Sequence, residues 1–368
     1  MIILGVETSC DETALSVIES VDGEEITVWA DKTISQAKLH AKHGGVFPNL
    51  AKREHLTNLP LMLPSVLTEA GLSAEKPEID AIAVTVGPGL EPCLWTGITF
   101  AETLAKKWGV HIIPVNHMEG HIFSALLRRE NEIQETRFKI QEIKFPALAL
   151  LISGGHTELV LIRDWFKYEI IGQTRDDAVG EAFDKVARLL GLPYPGGPPL
   201  SALAAAARGA RQSPTLESGK RSDLVLPRPM LHSGDFDFSF SGLKTAVLYL
   251  LKEIGTPDEK TKAAIAREFE DAVTEVLIAK TKAALEQYGA TTLLIGGGVI
   301  ANTHIRRAFE RFVAEMSVPL FIPERNLTTD NALMIAATGM VRLLKGGKPE
   351  SGALKAQGNL RLAQDEDL

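Results

Sequence analysis

The sequence predicts an α/β protein in which one lobe has been duplicated. Three observations predict it. Two pairs of β-rich runs surround short tips: residues 2–6 with 13–19, and 147–153 with 157–163, and their matching Thr13 and Thr157 stand 144 residues apart. Two apolar runs end in glycine and lead into helical pattern, at 84–89 and 293–298, with Gly87 and Gly296 209 residues apart. The same interval separates Pro114 from Pro323 and His121 from Asp330. Landmarks sharing one offset point to an internal repeat. The second copy then carries 65 extra residues, inserted between Arg163 and Leu293.

In chain order, 2–6 and 13–19 read as a hairpin around the acidic tip Glu7-Thr8-Ser9-Cys10-Asp11-Glu12. Residues 28–34 read as a further strand and 50–70 as a helix. Residues 79–86 form a continuous apolar run, as in a strand buried on both faces. A helix over 94–108 and a strand over 110–115 follow. The charged stretch 128–144 marks the domain boundary. The expected organisation is an N-terminal lobe over 1–128, a C-terminal lobe over 145–340 with an inserted helical region near 172–262, and a tail over 345–368, mobile at its end. A Ser/Gly/Lys-rich loop near 209–223 lies in the insertion, and 263–288 reads as a long helix.

Composition bounds the function. The 368 residues are 45% hydrophobic and 23% charged, as in ordinary globular proteins. No apolar run reaches the roughly 18 residues of a membrane span, and the patterned first strand leaves no room for a signal or transit peptide. Two cysteines do not make a disulfide framework, which fits a reducing cytoplasm. The net charge of -8 means that any nucleic-acid contact must be local or shared with a partner. One local candidate is the stretch with Lys38, His40, Lys42, His43, Lys52, Arg53 and His55. It reads either as a solvated loop or as a phosphate contact.

The chemistry centres on His117-Met118-Glu119-Gly120-His121. On a helix, residues four apart share a face, so the two imidazoles can close on one metal ion. Asn116 can cap that helix, with Glu119 reaching back as in a capping box. A zinc peptidase needs its acid directly after the first histidine; Glu119 is instead rotated about 200° from His117. Asp330 reads as a helix N-cap, or, because the repeat equates it with His121, as a third ligand. Two nitrogens and one oxygen leave open positions, as catalytic sites do, and suit Zn²⁺ or Fe²⁺. Ser153-Gly154-Gly155 reads as a phosphate-cradling turn or a plain hairpin turn. Gly296-Gly297-Gly298, with Asn302 after it, suits a nucleoside or phosphate at a helix start, or close packing. Gly196-Gly197 between prolines is a rigid turn.

These residues resemble the tRNA N6-adenosine threonylcarbamoyltransferase (bacterial TsaD) family. The resemblance runs from residues 5–13 to 330–334 and includes the motifs at 116–121, 153–157, 180–185, 195–198 and 297–302. It implies a duplicated two-lobe actin/Hsp70/sugar-kinase-like fold (ASKHA) with a metal and nucleotide site in the interlobe cleft. It implies transfer of a threonylcarbamoyl group from L-threonylcarbamoyl-AMP to N6 of the adenosine 3′ of the anticodon, in tRNAs reading codons that begin with A. By carry-over, His117, His121 and Asp330 bind one divalent metal. Leu151, Ile152, Ser153, Gly154, Gly155, Asp184, Gly197 and Asn302 hold the adenylate substrate, or ATP or AMP. Asp11 is the candidate for orienting or deprotonating the amine, with Glu12 its rival. The implied partners are tRNA and TsaB-like and TsaE-like subunits, for which apolar helix faces near 59–67 could supply a surface. The alternative is a nucleotide-binding regulatory or chaperone-like protein of the same fold without transfer chemistry.

Overall fold

The computed structural model describes residues 1–130, 136–209, 224–346 and 353–362. In chain order the elements are β1 (Ile2–Glu7), β2 (Glu12–Glu19), β3 (Glu25–Ser35), the short α1 (Ala37–His40), α2 (Pro48–Glu69), β4 (Ala81–Gly87), α3 (Glu91–Trp108), β5 (His111–Asn116), α4 (His117–Leu126), β6 (Leu127–Arg129) and β7 (Arg137–Ile140). Then come β8 (Ala147–Ile152), β9 (Thr157–Asp164), β10 (Lys167–Gln173), α5 (Val179–Leu189), α6 (Gly197–Gly209), α7 (Ser241–Ile254), α8 (Glu259–Tyr288), β11 (Thr292–Gly296), α9 (Thr303–Met316), β12 (Leu320–Phe321) and α10 (Ala332–Leu344). The loop expected near 209–223 falls almost wholly outside the described residues, as do 131–135 of the expected boundary stretch and 347–352 and 363–368 of the tail.

Two compact units divide the chain. One holds Met1–Ile143 and the described part of Ile322–Ala363; the other holds Lys144–Phe321. The first unit has a seven-stranded sheet ordered β5-β4-β1-β2-β3-β7-β6, and the second a five-stranded sheet ordered β10-β9-β8-β11-β12. In each, three consecutive strands form an antiparallel meander, and two later strands join parallel to the first of them. Order 5-4-1-2-3 in one unit is order 12-11-8-9-10 in the other, so the repeat read from sequence offsets is present as topology. Parallel neighbours need long crossovers, and helices supply them: α2 before β4, α3 before β5 and α9 before β12. β4 is buried at every residue, as its unbroken apolar run requires.

The boundary expected at 145 lies one residue from the observed division, but the second unit ends at Phe321, not at 340. Residues from 322 onward pack with the first unit. The reason is α10, whose sequence ALMIAATGMVRLL is apolar nearly all round and buried from Ala332 to Val341. It lies on β1, β2, β4 and α4. Two glycines permit the close seat. A Cβ on Gly5 would lie 2.3 Å from the Ala332 carbonyl oxygen, and one on Gly339 would lie 2.7 Å from the Ala83 Cβ. Glu119, fully buried on α4, accepts bidentate hydrogen bonds from Arg342 Nε (2.8 Å) and Nη2 (3.0 Å). The capping box expected of Glu119 is therefore not formed. Asn116 caps α4 alone, accepting from the Met118 (2.8 Å) and Glu119 (3.4 Å) amides.

Part of the expected tail packs against the first unit, while its end, 363–368, lies outside the described residues. Leu354 joins the first unit's core with Leu4, Val17, Val66, Ile82 and Trp108. The Gln357 amide donates to the Val86 carbonyl, and the Arg361 carbonyl accepts from Asn116 Nδ2. Residues 353–362 thus strap the end of β4 and steady the cap of α4. Leu59, Met62, Val66 and Leu67 of α2 are core residues, while Leu56 and Leu61 are exposed. Among the described residues no helix is long and apolar enough to cross a membrane.

The Glu119–Arg342 pair is open to a direct test. Arg342→Met strands a buried carboxylate and should lower stability by about 3 kcal/mol, read as a shift of the urea transition. Adding Glu119→Leu removes the stranded charge and should recover most of that loss.

Candidate active site

The first unit brings His117, His121 and Asp330 together. Both histidines project from α4; Asp330 lies on the turn before α10. Asn331, not Asp330, caps α10, its side chain accepting from the Met334 amide at 2.9 Å. Asp330 is therefore spared for the histidines. Its Oδ1 lies 3.4 Å from His117 Nε2 and 3.3 Å from His121 Nε2. The three donor atoms all lie within 4.8 Å of one another. Ligand atoms bonded at about 2.0–2.1 Å to one tetrahedral ion stand roughly 3.4 Å apart, so this spacing fits a single cation.

Two further observations support that fit. His121 is fully buried; its Nδ1 has no hydrogen-bond partner among the described residues, and its Nε2 has only the 3.3 Å approach of Asp330, which is not a well-formed hydrogen bond. A buried imidazole without a partner is costly unless something else occupies its lone pair. His117, by contrast, is held by Glu7, a residue the sequence reading left as part of an acidic tip. Glu7 ends β1 and is fully buried. Its Oε2 accepts from His117 Nδ1 (3.1 Å) and from Thr85 Oγ1 (2.6 Å), and its Oε1 accepts from the Ser9 amide. An ionised carboxylate only accepts, so Nδ1 carries a hydrogen, and Nε2, on the side of Asp330, is the nitrogen that a proton or an ion can occupy. This carboxylate–histidine arrangement is the one that orients metal ligands. The sequence signal was available: an acid directly ending a strand whose other inner positions are all apolar.

The charges agree. Burial alone would lower the His117 pKa, yet Asp330 and then Glu7 hold it well above the ordinary histidine value. Burial would raise Glu7 and Asp330, but His117 brings both down. For His121, burial dominates and the value falls. A buried carboxylate and a partly exposed one thus demand positive charge, and His117 meets the demand with a proton when no ion does.

The hairpin tip lies in the same unit. Asp11 is half-buried there. Burial, then the charges of Asp330 and Asp11, push the Glu12 carboxyl up to about 9, and Ser35 Oγ donates to its Oε1 at 3.0 Å. Burial, then Asp11 and Asp330, also push the Cys10 thiol well up, so it is no thiolate nucleophile at neutral pH.

The second unit holds the other expected residues. Leu151 and Ile152 end β8 with fully buried side chains, so only their backbone is open to a ligand. Ser153, Gly154 and Gly155 form the turn to β9, closed by Ser153 N to the His156 carbonyl at 2.9 Å. Neither turn glycine has an atom within 4 Å of an added Cβ, whereas a Cβ on Gly297 would meet the Ile152 carbonyl oxygen at 2.3 Å. Gly297 also holds φ +94°, a value that favours glycine. Within the glycine triplet, Gly297 is needed for close packing, while Gly298 has open space beside it. Asp184 on α5 accepts from the Gly196 amide at 2.6 Å, beside Gly197. Asn302 caps α9 through its Oδ1 and donates from Nδ2 to the buried Glu270. Contacts from Ile152 to Gly297, from Ser153 to Gly180 on α5, and from α5 to Gly196 link these positions into one neighbourhood.

Glu7→Gln removes the charge that orients His117. The expected loss of Zn²⁺ affinity is about 10–100-fold by calorimetry, with His121→Ala losing more. Because ion binding must displace the His117 Nε2 proton, affinity should rise with pH until the raised His117 pKa is passed. In metal-free protein the sign is the reverse. The stability held by protonated His117 is full below the ordinary histidine range and is lost as pH rises through the raised value. Zn²⁺ affinity equal in wild type and Glu7→Gln, and flat with pH, would contradict this.

Comparison with known proteins gives the family and the fold. The family model described as TsaD, tRNA N6-adenosine threonylcarbamoyltransferase, matches residues 27–337. A Chromobacterium violaceum protein named tRNA N6-adenosine threonylcarbamoyltransferase is 44% identical over 356 residues, covering 96% of each chain. One of that name from Paraburkholderia xenovorans is 44% identical over 93% of this chain and 92% of its own. Among solved structures, full-length HypF in its phosphate- and nucleotide-bound form matches with TM-score 0.56 and 11% identity, over 95% of this chain and 47% of that one. T. kodakarensis HypF matches with TM-score 0.56 and 12% identity, over 93% of this chain and 47% of that one. At that identity the likeness concerns fold alone, and the fold is the two-lobe ASKHA one. The chain belongs to the TsaD family of tRNA N6-adenosine threonylcarbamoyltransferases.

Proposed function

We propose that this chain transfers the threonylcarbamoyl group of L-threonylcarbamoyl-AMP to N6 of the adenosine 3′ of the anticodon, in tRNAs reading codons that begin with A. The observation that carries this reading is 44% identity, over 96% of the chain, to a protein named for that transfer. The product is N6-threonylcarbamoyladenosine. The alternative, a nucleotide-binding regulatory protein of the same fold, needs no His117–His121–Asp330 cluster and is not favoured.

The chemistry sets the requirements. The N6 lone pair is delocalised into the purine, so the acyl group must be activated. In the mixed anhydride the carbamoyl carbon is joined through oxygen to AMP. N6 forms the new N–C bond, the C–O bond to phosphate breaks, AMP leaves and N6 gives up a proton. Asp11, half-buried on the hairpin tip, is the residue we assign to that proton. Glu12, whose carboxyl is pushed up by burial and by the Asp330 and Asp11 charges and which accepts from Ser35 Oγ, is the weaker candidate. His117, His121 and Asp330 hold one divalent ion, Fe²⁺ or Zn²⁺, which when bound supplies Lewis-acid polarisation of carbonyl or phosphate. Glu7 sets the His117 tautomer. Backbone of 151–155, with Asp184, Gly197 and Asn302, holds the adenylate, the glycines letting N–H groups approach phosphate. An acidic chain of this kind works with TsaB-like and TsaE-like subunits, which share the tRNA surface.

The test uses purified chain, L-threonylcarbamoyl-AMP, unmodified tRNA and the partner subunits, with tRNA nucleosides read by mass spectrometry. Wild type should form modified adenosine, His117→Ala little, and Asp11→Asn should turn over at least about tenfold more slowly if Asp11 is the base. Absence of product from wild type, with nucleotide binding intact, would favour the regulatory alternative; an unimpaired Asp11→Asn would remove Asp11 from the reaction.

A further inference from the structure

We propose that the surface formed by residues 38–53 receives the phosphate backbone and an unpaired base of the substrate tRNA's anticodon arm. This rests on the functional reading above, which supplies tRNA as the occupant. Four cations, Lys38, Lys42, Lys52 and Arg53, fall in sixteen residues that contain no Asp or Glu, in a chain of net charge -8. All four are exposed, and none forms an ion pair among the described residues. Some cations elsewhere are engaged, Lys280, Arg208 and Arg228 meeting carboxylates, and others such as Lys106 and Lys107 are exposed without an ion pair but are not gathered in an acid-free stretch around an exposed ring. Unpaired, clustered cations are what phosphate contacts require.

The local fold keeps the cluster compact. α1 runs into a 3-10 turn over Ala41–His43, and Gly44 reverses the chain with φ 68°. Phe47 then opens α2, which puts Lys52 and Arg53 in its first two turns. Phe47 is 54% exposed, and its ring centroid lies 5.9 Å from that of the exposed His43. An exposed ring among cations gives an unpaired base a stacking face.

His40 and His55 are not part of that surface, contrary to their grouping in the sequence. Both are fully buried and act as struts. The Phe47 amide donates to His40 Nδ1 at 3.2 Å, so Nε2 carries the hydrogen and donates to Gln36 Oε1 at 3.1 Å. His55 Nε2 donates to the Cys10 carbonyl at 3.0 Å, and its Nδ1 accepts from Thr13 Oγ1 at 2.8 Å. The Gln36 amide donates to the Asp11 carbonyl at 2.9 Å. The cationic surface is thereby bolted to Cys10 and Asp11, the tip assigned to the transferred proton. A tRNA seated on 38–53 would be held in fixed register with that tip.

The test replaces Lys38, Lys42, Lys52 and Arg53 together by Gln in the full chain, assayed with the partner subunits. The tRNA KM should rise about tenfold or more, and the slope of log affinity against log salt should flatten by about 3, as for four lost phosphate contacts. The kcat at saturating tRNA, ATP binding and the melting temperature should hold. A control replacing the exposed Lys106, Lys107, Lys252 and Lys260 by Gln matches the change in net charge and should move KM less than about twofold. Phe47→Ala should weaken an anticodon stem-loop RNA but not a duplex RNA of equal length. An unchanged KM and salt slope, or an equal loss in the control, would overturn the proposal. Wild type that modifies no tRNA would instead remove the functional reading beneath it.

Discussion

The seat of α10 on the first sheet is the constraint on which the candidate site depends. A helix this apolar has to be buried, and the first unit offers a place only because Gly5 and Gly339 let helix and strands approach. Once seated, its preceding turn sets Asp330 beside two histidines more than 200 residues earlier. The Glu119–Arg342 pair fixes α10 against the helix that carries those histidines. The strap over 353–362 then closes on the same helix through Asn116. The oxygen donor, the nitrogen donors and their supports all belong to one unit, although the chain leaves that unit and returns before completing it.

Electrostatics gives this assembly its chemical character. Glu7 is a buried carboxylate and Asp330 a partly exposed one, and among the described residues the titratable groups set against them are the two imidazoles. A proton on His117 balances part of that charge; a divalent ion would balance it better and would also occupy the lone pair of His121 Nε2. Glu7 decides which His117 nitrogen is free. The same logic appears at 36–55, where two buried imidazoles have their tautomers set by carbonyl, amide and hydroxyl partners.

Much of this was legible in the sequence, and the rest was not for identifiable reasons. β1, β2, β4 and the 209-residue offset were readable because burial on one or both faces writes itself into residue pattern. The offset led to Asp330 as a third donor even though Asp330 also looked like a helix cap. It misplaced the end of the second unit, because a repeat reports ancestry whereas packing decides with which sheet α10 lies. Glu119 was read locally, as a capping-box residue, since Arg342 is 223 positions away and no local pattern announces it. Glu7 was hidden in an acidic tip, and His40 and His55 among cations, because sequence does not distinguish a buried polar group from an exposed neighbour.

The most direct measurement is X-ray absorption at the metal edge of the chain as purified, beside Asp330→Ala. The account predicts one divalent ion per chain with two imidazole nitrogens and further oxygen ligands, and loss of one oxygen ligand or of the ion in Asp330→Ala. Sulfur ligation by Cys10 or Cys93, or an environment unchanged by Asp330→Ala, would contradict it.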